Sequence, residues 1–157
     1  KHEGPVYLRL GTNREPEIYN EDYGFEIGKG IVVRGGNDIT LIGTGSILKD
    51  LVDIALQLQD EGIQARVINM HTIKPIDKEI VLQAIEETGK IITVEDHNVI
   101  GGLGSAVAEI IAESGKGVTF RRIGLQGFSH GYGTYSQVKE MNGIGTSKIR
   151  KEIMSLV

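Results

Sequence analysis

The chain has 157 residues, with 17 lysines and arginines against 21 aspartates and glutamates and a formal charge of −4, a length that fits one domain with a single sizeable core. No block of basic residues offers a footprint for nucleic acid or an anionic membrane. No apolar run approaches the roughly 20 residues that span a bilayer, and the absence of cysteine excludes disulfides and thiol chemistry and fits a cytoplasmic protein.

The opening Lys1-His2-Glu3 has no initiator methionine and runs straight into residues 5–10, which have strand composition, so the start reads as a piece of a longer polypeptide. Residues 13–23 are polar, hold Pro16 and several acids, and read as a linker. Residues 31–33 and 39–42 read as two short strands joined through Arg34-Gly35-Gly36-Asn37-Asp38 by a tight turn, which makes them an antiparallel pair. Ile47, Leu48, Leu51, Ile54, Ala55 and Leu58 then recur at helical spacing, with Ser46 as N-cap and Gly62 as the stop. Residues 65–70 form the next strand. Asp77 caps a helix whose apolar face is Ile80, Val81, Ala84 and Ile85 and which ends at Gly89. After a strand at 91–94, Leu103, Val107, Ile110 and Ile111 form the core face of another helix, and 118–123 is the last strand. Two short helices, around 136–141 and 147–156, close the chain. Strands alternating with helices predict right-handed crossovers and an α/β fold. It has three layers, α/β/α, around a mostly parallel five-stranded sheet with one antiparallel edge strand.

Residues 91–109 are the most distinctive stretch. An apolar β-branched run breaks into Glu95-Asp96-His97-Asn98, and Gly101-Gly102-Leu103-Gly104 then opens an amphipathic helix. A loop is thereby displayed at the carboxyl end of a buried strand, where open α/β sheets place their binding surfaces. Two readings stand: a loop that binds an anion or a partner, because backbone N–H groups at a helix start attract negative charge, and a packing turn, because glycine admits close approach and positive φ. Glu95, Asp96 and His97 alternate in direction along a strand end and cannot all converge on one ion, so they read as groups that bond to neighbouring segments. His97 is singled out among the three because histidine is the residue type whose unperturbed charge change falls near neutrality.

Gly43-Thr44-Gly45-Ser46 also follows a strand and opens a helix. It fails as a dinucleotide fingerprint, because Leu48 takes the third glycine position and the next strand ends in Asn69 and Met70 rather than an acid. His130, in the loop at 127–133, reads either as a partner contact or as a solvated loop histidine, while His71 reads as structural and Arg121-Arg122 as solvated strand positions. Ser129 beside His130 lacks the strand-turn-helix elbow of a hydrolase. Loops at 95–100 and 127–135 leave parallel strands at the same edge. His97, Phe128, His130, Tyr132 and Tyr135 therefore predict one surface rich in aromatics and histidine, a composition typical of interfaces.

The Val94-Glu95-Asp96-His97 segment with Gly101-Gly102-Leu103-Gly104-Ser105-Ala106 resembles the C-terminal domain of transketolase-type thiamine diphosphate enzymes. So do Gly4-Pro5-Val6-Tyr7-Leu8-Arg9-Leu10, Phe25-Glu26-Ile27-Gly28-Lys29-Gly30, the run at 37–46, Ala65-Arg66-Val67-Ile68-Asn69-Met70, Ile73-Lys74-Pro75-Ile76-Asp77, Ile123-Gly124-Leu125 and Phe128. They keep the family's order across nearly the whole chain. The resemblance implies the three-layer fold and divides the chain into the end of a pyrimidine-binding domain with its linker, 1–23, and the C-terminal domain, 24–157. It also implies a parent enzyme that uses thiamine diphosphate and Mg or Ca to move a two-carbon ketol unit between sugars or sugar phosphates. In that family the cofactor lies between the other two domains across a dimer interface, so no catalytic, cofactor-binding or metal-binding residue is expected here. The family's catalytic glutamate belongs to the pyrimidine domain and is not Glu95.

The implied partners are the remaining domains or an N-terminal subunit and a second copy in a homodimer, with neither nucleic acid nor membrane. The candidate loops for an anion or an interface comprise Glu95, His97, Gly101, Gly102, Gly104, Phe128, His130 and Tyr132. Thr12 stands where relatives place an arginine that contacts substrate phosphate, and Arg14 is the candidate substitute. Alternatives are the equivalent domain of a 2-oxo acid dehydrogenase β subunit or a deoxyxylulose phosphate synthase, and, outside the family, a self-contained α/β domain binding a small ligand at 43–46 or 101–104.

Overall fold

The computed structural model describes residues 2–11, 16–19 and 23–157. Five strands and five helices follow in the order β1 (Ile31–Arg34), β2 (Ile39–Gly43), α1 (Ile47–Asp60), β3 (Ala65–Asn69), α2 (Lys78–Glu87), β4 (Lys90–Asn98), α3 (Leu103–Ser114), β5 (Thr119–Leu125), α4 (Tyr135–Met141) and α5 (Thr146–Met154). They build one sheet in the order β1-β3-β2-β4-β5, with β1 antiparallel to β3 and every other pair parallel.

Burial on both faces explains the apolar runs of the central strands. Leu41, Val67 and Ile92 face α1 and α5, where Leu51, Ile54, Leu58, Ile149 and Ile153 complete one core. Ile42, Ile68 and Ile91 face α2 and α3 and meet Val81, Ile85, Leu103 and Val107 in the other. The expected three layers with one antiparallel edge are therefore observed.

The partner of the antiparallel strand differs from expectation. β1 pairs with β3, not with β2, so residues 31–42 are not a hairpin. The connection instead steps across the start of β3, where Asp38 N donates to Gln64 O at 3.1 Å and Gln64 N donates to Asp38 Oδ2 at 2.6 Å. Gly36 permits this crossing, since a Cβ there would run into the backbone of Gln64, Ala65 and Arg66. A hairpin and a crossing carry the same Gly-Gly-Asn-Asp composition, and only the depth of the sheet beneath distinguishes them.

Residues 5–10 form no strand; Val6, Tyr7, Leu8 and Leu10 are all exposed. β4 runs four residues beyond the expected end, and its register against β5 shifts between Val94 and Asn98. Asp77 caps α2 as expected, accepting from Ile80 N at 3.3 Å. Ser46 precedes α1 but makes no side-chain cap bond: its backbone is already helical, and its hydroxyl is engaged elsewhere. At the other edge, β5 leaves Thr119, Arg121 and Arg122 exposed.

The connections set up the functional edge. From β2 the chain turns through α1 to β3 on one side, whereas from β4 it turns through α3 to β5 on the other. The carboxyl ends of β2 and β4 thus flank the switch point of the sheet.

Placing a methyl group at Gly36 tests the crossing. Gly36→Ala should lower the urea midpoint by an amount equivalent to about 1–3 kcal/mol, the usual penalty of overpacking against backbone that cannot move away.

Candidate functional site

The extended end of β4 carries two carboxylates on opposite sides of the strand. Glu95 is fully buried, with 0% exposure, and turns toward α3. Its Oε2 accepts from Leu103 N at 2.7 Å and its Oε1 from Gly104 N at 2.9 Å. Gly102, the N-cap residue, has no side chain to fill this role. A carboxylate eight residues upstream therefore satisfies the first N–H groups of the helix and meets its positive end.

His97 is on the same side, its Nδ1 3.0 Å from Glu95 Oε2 and 3.2 Å from Asn98 O, with 35% of its side chain exposed. The turn is tied down further. Ser105 Oγ accepts from Gly101 N and donates to Val99 O, and Arg122, expected to be a solvated position, donates to both Ser105 Oγ and Val99 O at 3.2 Å.

The glycines divide the work in this turn. Gly101 adopts φ +78°, whereas Gly102 lies at φ −95°. Close approach, not positive φ, is what Gly102 supplies. A Cβ there would run into Glu95 Oε2 and come within 2.6 Å of the His97 ring.

Asp96 points the other way and forms a second group. Its Oδ1 accepts from Arg9 Nη1 at 2.7 Å, and its Oδ2 accepts from Ser46 Oγ and from the Tyr135 hydroxyl, each at 3.0 Å. Ser46 Oγ and Tyr135 Oη are themselves 2.8 Å apart. Four segments meet here: the one holding Arg9, the β2–α1 turn, the end of β4 and the start of α4. Lys139, one turn along α4, pairs with Asp50 of α1 and lies 4.5 Å over the Tyr135 ring.

Burial pushes the Asp96 carboxyl up, but the Arg9 bond and charge, with the Tyr135 and Ser46 hydroxyls, together outweigh it and hold the group below the usual carboxylate value. Burial also pushes the Tyr135 hydroxyl up to about 12, the Ser46 bond opposing and the Asp96 charge adding to the effect. Tyr135 therefore stays a neutral donor throughout the physiological range.

The remaining candidates lie beyond this group. Phe128 and Tyr132 are fully exposed, and His130 is held only through its backbone, which exchanges bonds with the Asn142 side chain at 3.0 and 2.8 Å. The structure brings Tyr135 to Asp96 but places His97 with Glu95 on the opposite side of β4, so the edge carries two groups rather than one. Arg14 and Thr12 lie outside the described residues. Arg9 was not expected in a site, and Ser46 only as the end of the alternative small-ligand turn at 43–46; the alternation of Asp96 against Glu95 signals a second partner set, but nothing local identifies Arg9, 87 residues away.

Neither group fits thiamine diphosphate or its metal. Among the described residues no cluster of three His, Asp or Glu is arranged to hold a metal ion, and the helix start best suited to a diphosphate already binds the Glu95 carboxylate. The cleft beside Asp96, of about 200 Å³, is smaller than a typical ligand pocket of roughly 300–1,000 Å³. Gly43, in the other glycine turn, is a packing position, since a Cβ there would lie 2.6 Å from Leu51 Cδ1.

Two measurements probe the carboxylates. Gly102→Val should displace Glu95 from the helix start and destabilise the fold by about 1–3 kcal/mol, read as a lower denaturant midpoint. For Asp96, the folded state prefers the ionised form, so its contribution is fully present above the unfolded carboxyl value of about 3.9 and fades as pH falls through the lower folded value. Asp96→Asn should therefore reduce stability at neutral pH, and the gap from wild type should close on acidification below about pH 4.

A family model for the transketolase C-terminal domain matches residues 28–149. One subunit of the apulose-4-phosphate transketolase of Actinobacillus succinogenes is 39% identical over 154 residues, 98% of this chain and 50% of that protein. The 6-deoxy-6-sulfo-D-fructose transketolase subunit SqwH of a Clostridium species is 38% identical over 148 residues, 94% of this chain and 46% of that protein. A solved split-gene transketolase, an inactive beta4 tetramer, superposes with a TM-score of 0.90 at 36% identity over 99% of this chain and 50% of its own. This chain spans about half the length of these relatives, and it belongs to the transketolase C-terminal domain family.

Proposed function

We propose that this chain is the C-terminal part of a transketolase-type enzyme that moves a two-carbon ketol unit between sugars or sugar phosphates, and that it contributes packing and assembly contacts rather than reacting groups. The observation that carries this reading is how the sheet edge is used. Its buried carboxylates are both consumed internally, Glu95 by α3 and Asp96 by Arg9, Ser46 and Tyr135, while Phe128 and Tyr132 project outward. An edge built this way suits docking better than catalysis.

The parent enzyme, on this proposal, holds thiamine diphosphate and Mg or Ca in its other domains. Residues 1–23 are, on this proposal, the end of the preceding pyrimidine-binding domain with its linker, and the exposed apolar residues Val6, Tyr7, Leu8 and Leu10 are covered by the rest of that domain or by an N-terminal subunit. The loop at 127–134 meets that partner or the second protomer of a homodimer, and the assembly works in the cytoplasm. The relatives' names include one phosphorylated and one sulfonated sugar, so an anionic group on the substrate is supported as a class. Arg14 is the proposed contact for it.

The test is to coexpress this chain with the portion of the relatives that it does not span. Thiamine diphosphate should bind saturably to the complex and not to this chain alone, by calorimetry. Phe128→Ala with Tyr132→Ala should weaken assembly on gel filtration and lower ketol transfer by about tenfold or more, the loss of a little over 1 kcal/mol expected for interface aromatics. Unchanged assembly and unchanged transfer would remove this loop as the contact.

A further inference from the structure

The crevice at the switch point of an open α/β sheet is its ordinary place for a ligand, and here that crevice contains an almost buried carboxylate. Asp96 keeps only 7% of its side chain exposed, sits between the ends of β2 and β4, and is bonded by two neutral hydroxyls and one cation. Two hydroxyls do not neutralise a buried charge, and an uncompensated one is strongly unfavourable. The cation comes from Arg9, in an exposed segment without strand structure, 54% of whose own side chain remains in contact with solvent. Lys139, also at this edge, is committed to Asp50 and the Tyr135 ring. A guanidinium is the cation best suited to the position, being more weakly hydrated than an ammonium and always charged.

From this we infer that the switch-point crevice, formed by Asp96, Ser46 and Tyr135, is a guanidinium-binding site that the chain fills with its own Arg9. Filling it compensates Asp96, and Asp96 in turn holds the hydroxyl of Tyr135, the first residue of α4. Emptying it leaves a carboxylate that draws in water or takes a proton, either of which weakens the Tyr135 and Ser46 bonds. Seating of the segment around Arg9 and fixing of α4 with the loop before it are therefore linked, and linkage of this kind is reciprocal. What that link does for assembly rests on the function proposed above, but the site itself does not.

The test uses this chain alone, so its failure is distinguishable from failure of the interface reading. Hydrogen exchange is followed at the Val138 and Asn142 amides, which bond to Thr134 O and Val138 O within α4. Amides of β2 and β4 serve as the internal control for folding. Arg9→Ala should speed exchange in α4 by about tenfold, a local destabilisation near 1.4 kcal/mol, and leave the strand amides unchanged. Arg9→Met, which keeps the aliphatic stem, is run in parallel and should behave the same way. Millimolar propylguanidinium should restore protection in Arg9→Ala, propylammonium should restore it less, and the Arg9→Ala/Asp96→Asn double variant should show no restoration. The inference is overturned if α4 exchanges at the wild-type rate in both Arg9 variants. It is also overturned if propylguanidinium acts equally on the double variant, which would mark a general ionic effect.

Discussion

Two carboxylates withdrawn from water at the end of one strand must each find compensation, and much of the sheet edge is arranged around how they find it. Because successive side chains of a strand point to opposite faces, Glu95 and Asp96 cannot share a partner. Glu95 meets the start of α3, which fixes the angle at which that helix leaves the sheet and leaves room only for glycine at position 102. Asp96 meets Arg9, Ser46 and Tyr135, which gathers chain from both ends of the sequence over the opposite layer. One dipeptide thus anchors both sides of a three-layer structure.

The two anchors differ in kind. The Glu95 group is local, with a fully buried carboxylate and both backbone donors supplied within nine residues, and it behaves as part of the core. The Asp96 group depends on contacts 39, 50 and 87 residues apart and includes a half-exposed arginine. Such a group is sensitive to what happens at the surface in a way that the Glu95 group is not. Ser46 belongs to the Asp96 group rather than to the cap of α1: its backbone is already helical, and its hydroxyl bonds the Asp96 carboxylate.

Much of the architecture was legible in the sequence because burial on two faces leaves a strong imprint. The apolar spacing of α1 and α2, the Asp77 cap and the alternation from β2 to β5 all match the structure. The pairing of β1 was not legible, since Gly35-Gly36-Asn37-Asp38 serves a crossing as well as a turn and the choice depends on where β3 comes to lie. The end of β4 was placed too early because charged residues ordinarily mark a loop, whereas here they are strand residues whose partners come from other elements. At the end of β4, the divergence of the adjacent side chains Glu95 and Asp96 was legible from strand alternation. Arg9 was not legible, because a contact across 87 residues leaves no periodicity to read.

The edges of the sheet bear on how such a domain associates. β5 offers an open row of backbone donors and acceptors, the kind of margin along which unrelated chains can stack into aggregates. Arg121 and Arg122 stand exposed on it, and positive charge on a margin strand repels a second copy brought alongside in register. Growth of the sheet by addition of further strands is therefore disfavoured at β5. A contact that leaves this margin free must be made through side chains, where specificity resides in shape and surface chemistry rather than in backbone pairing that any extended segment can supply.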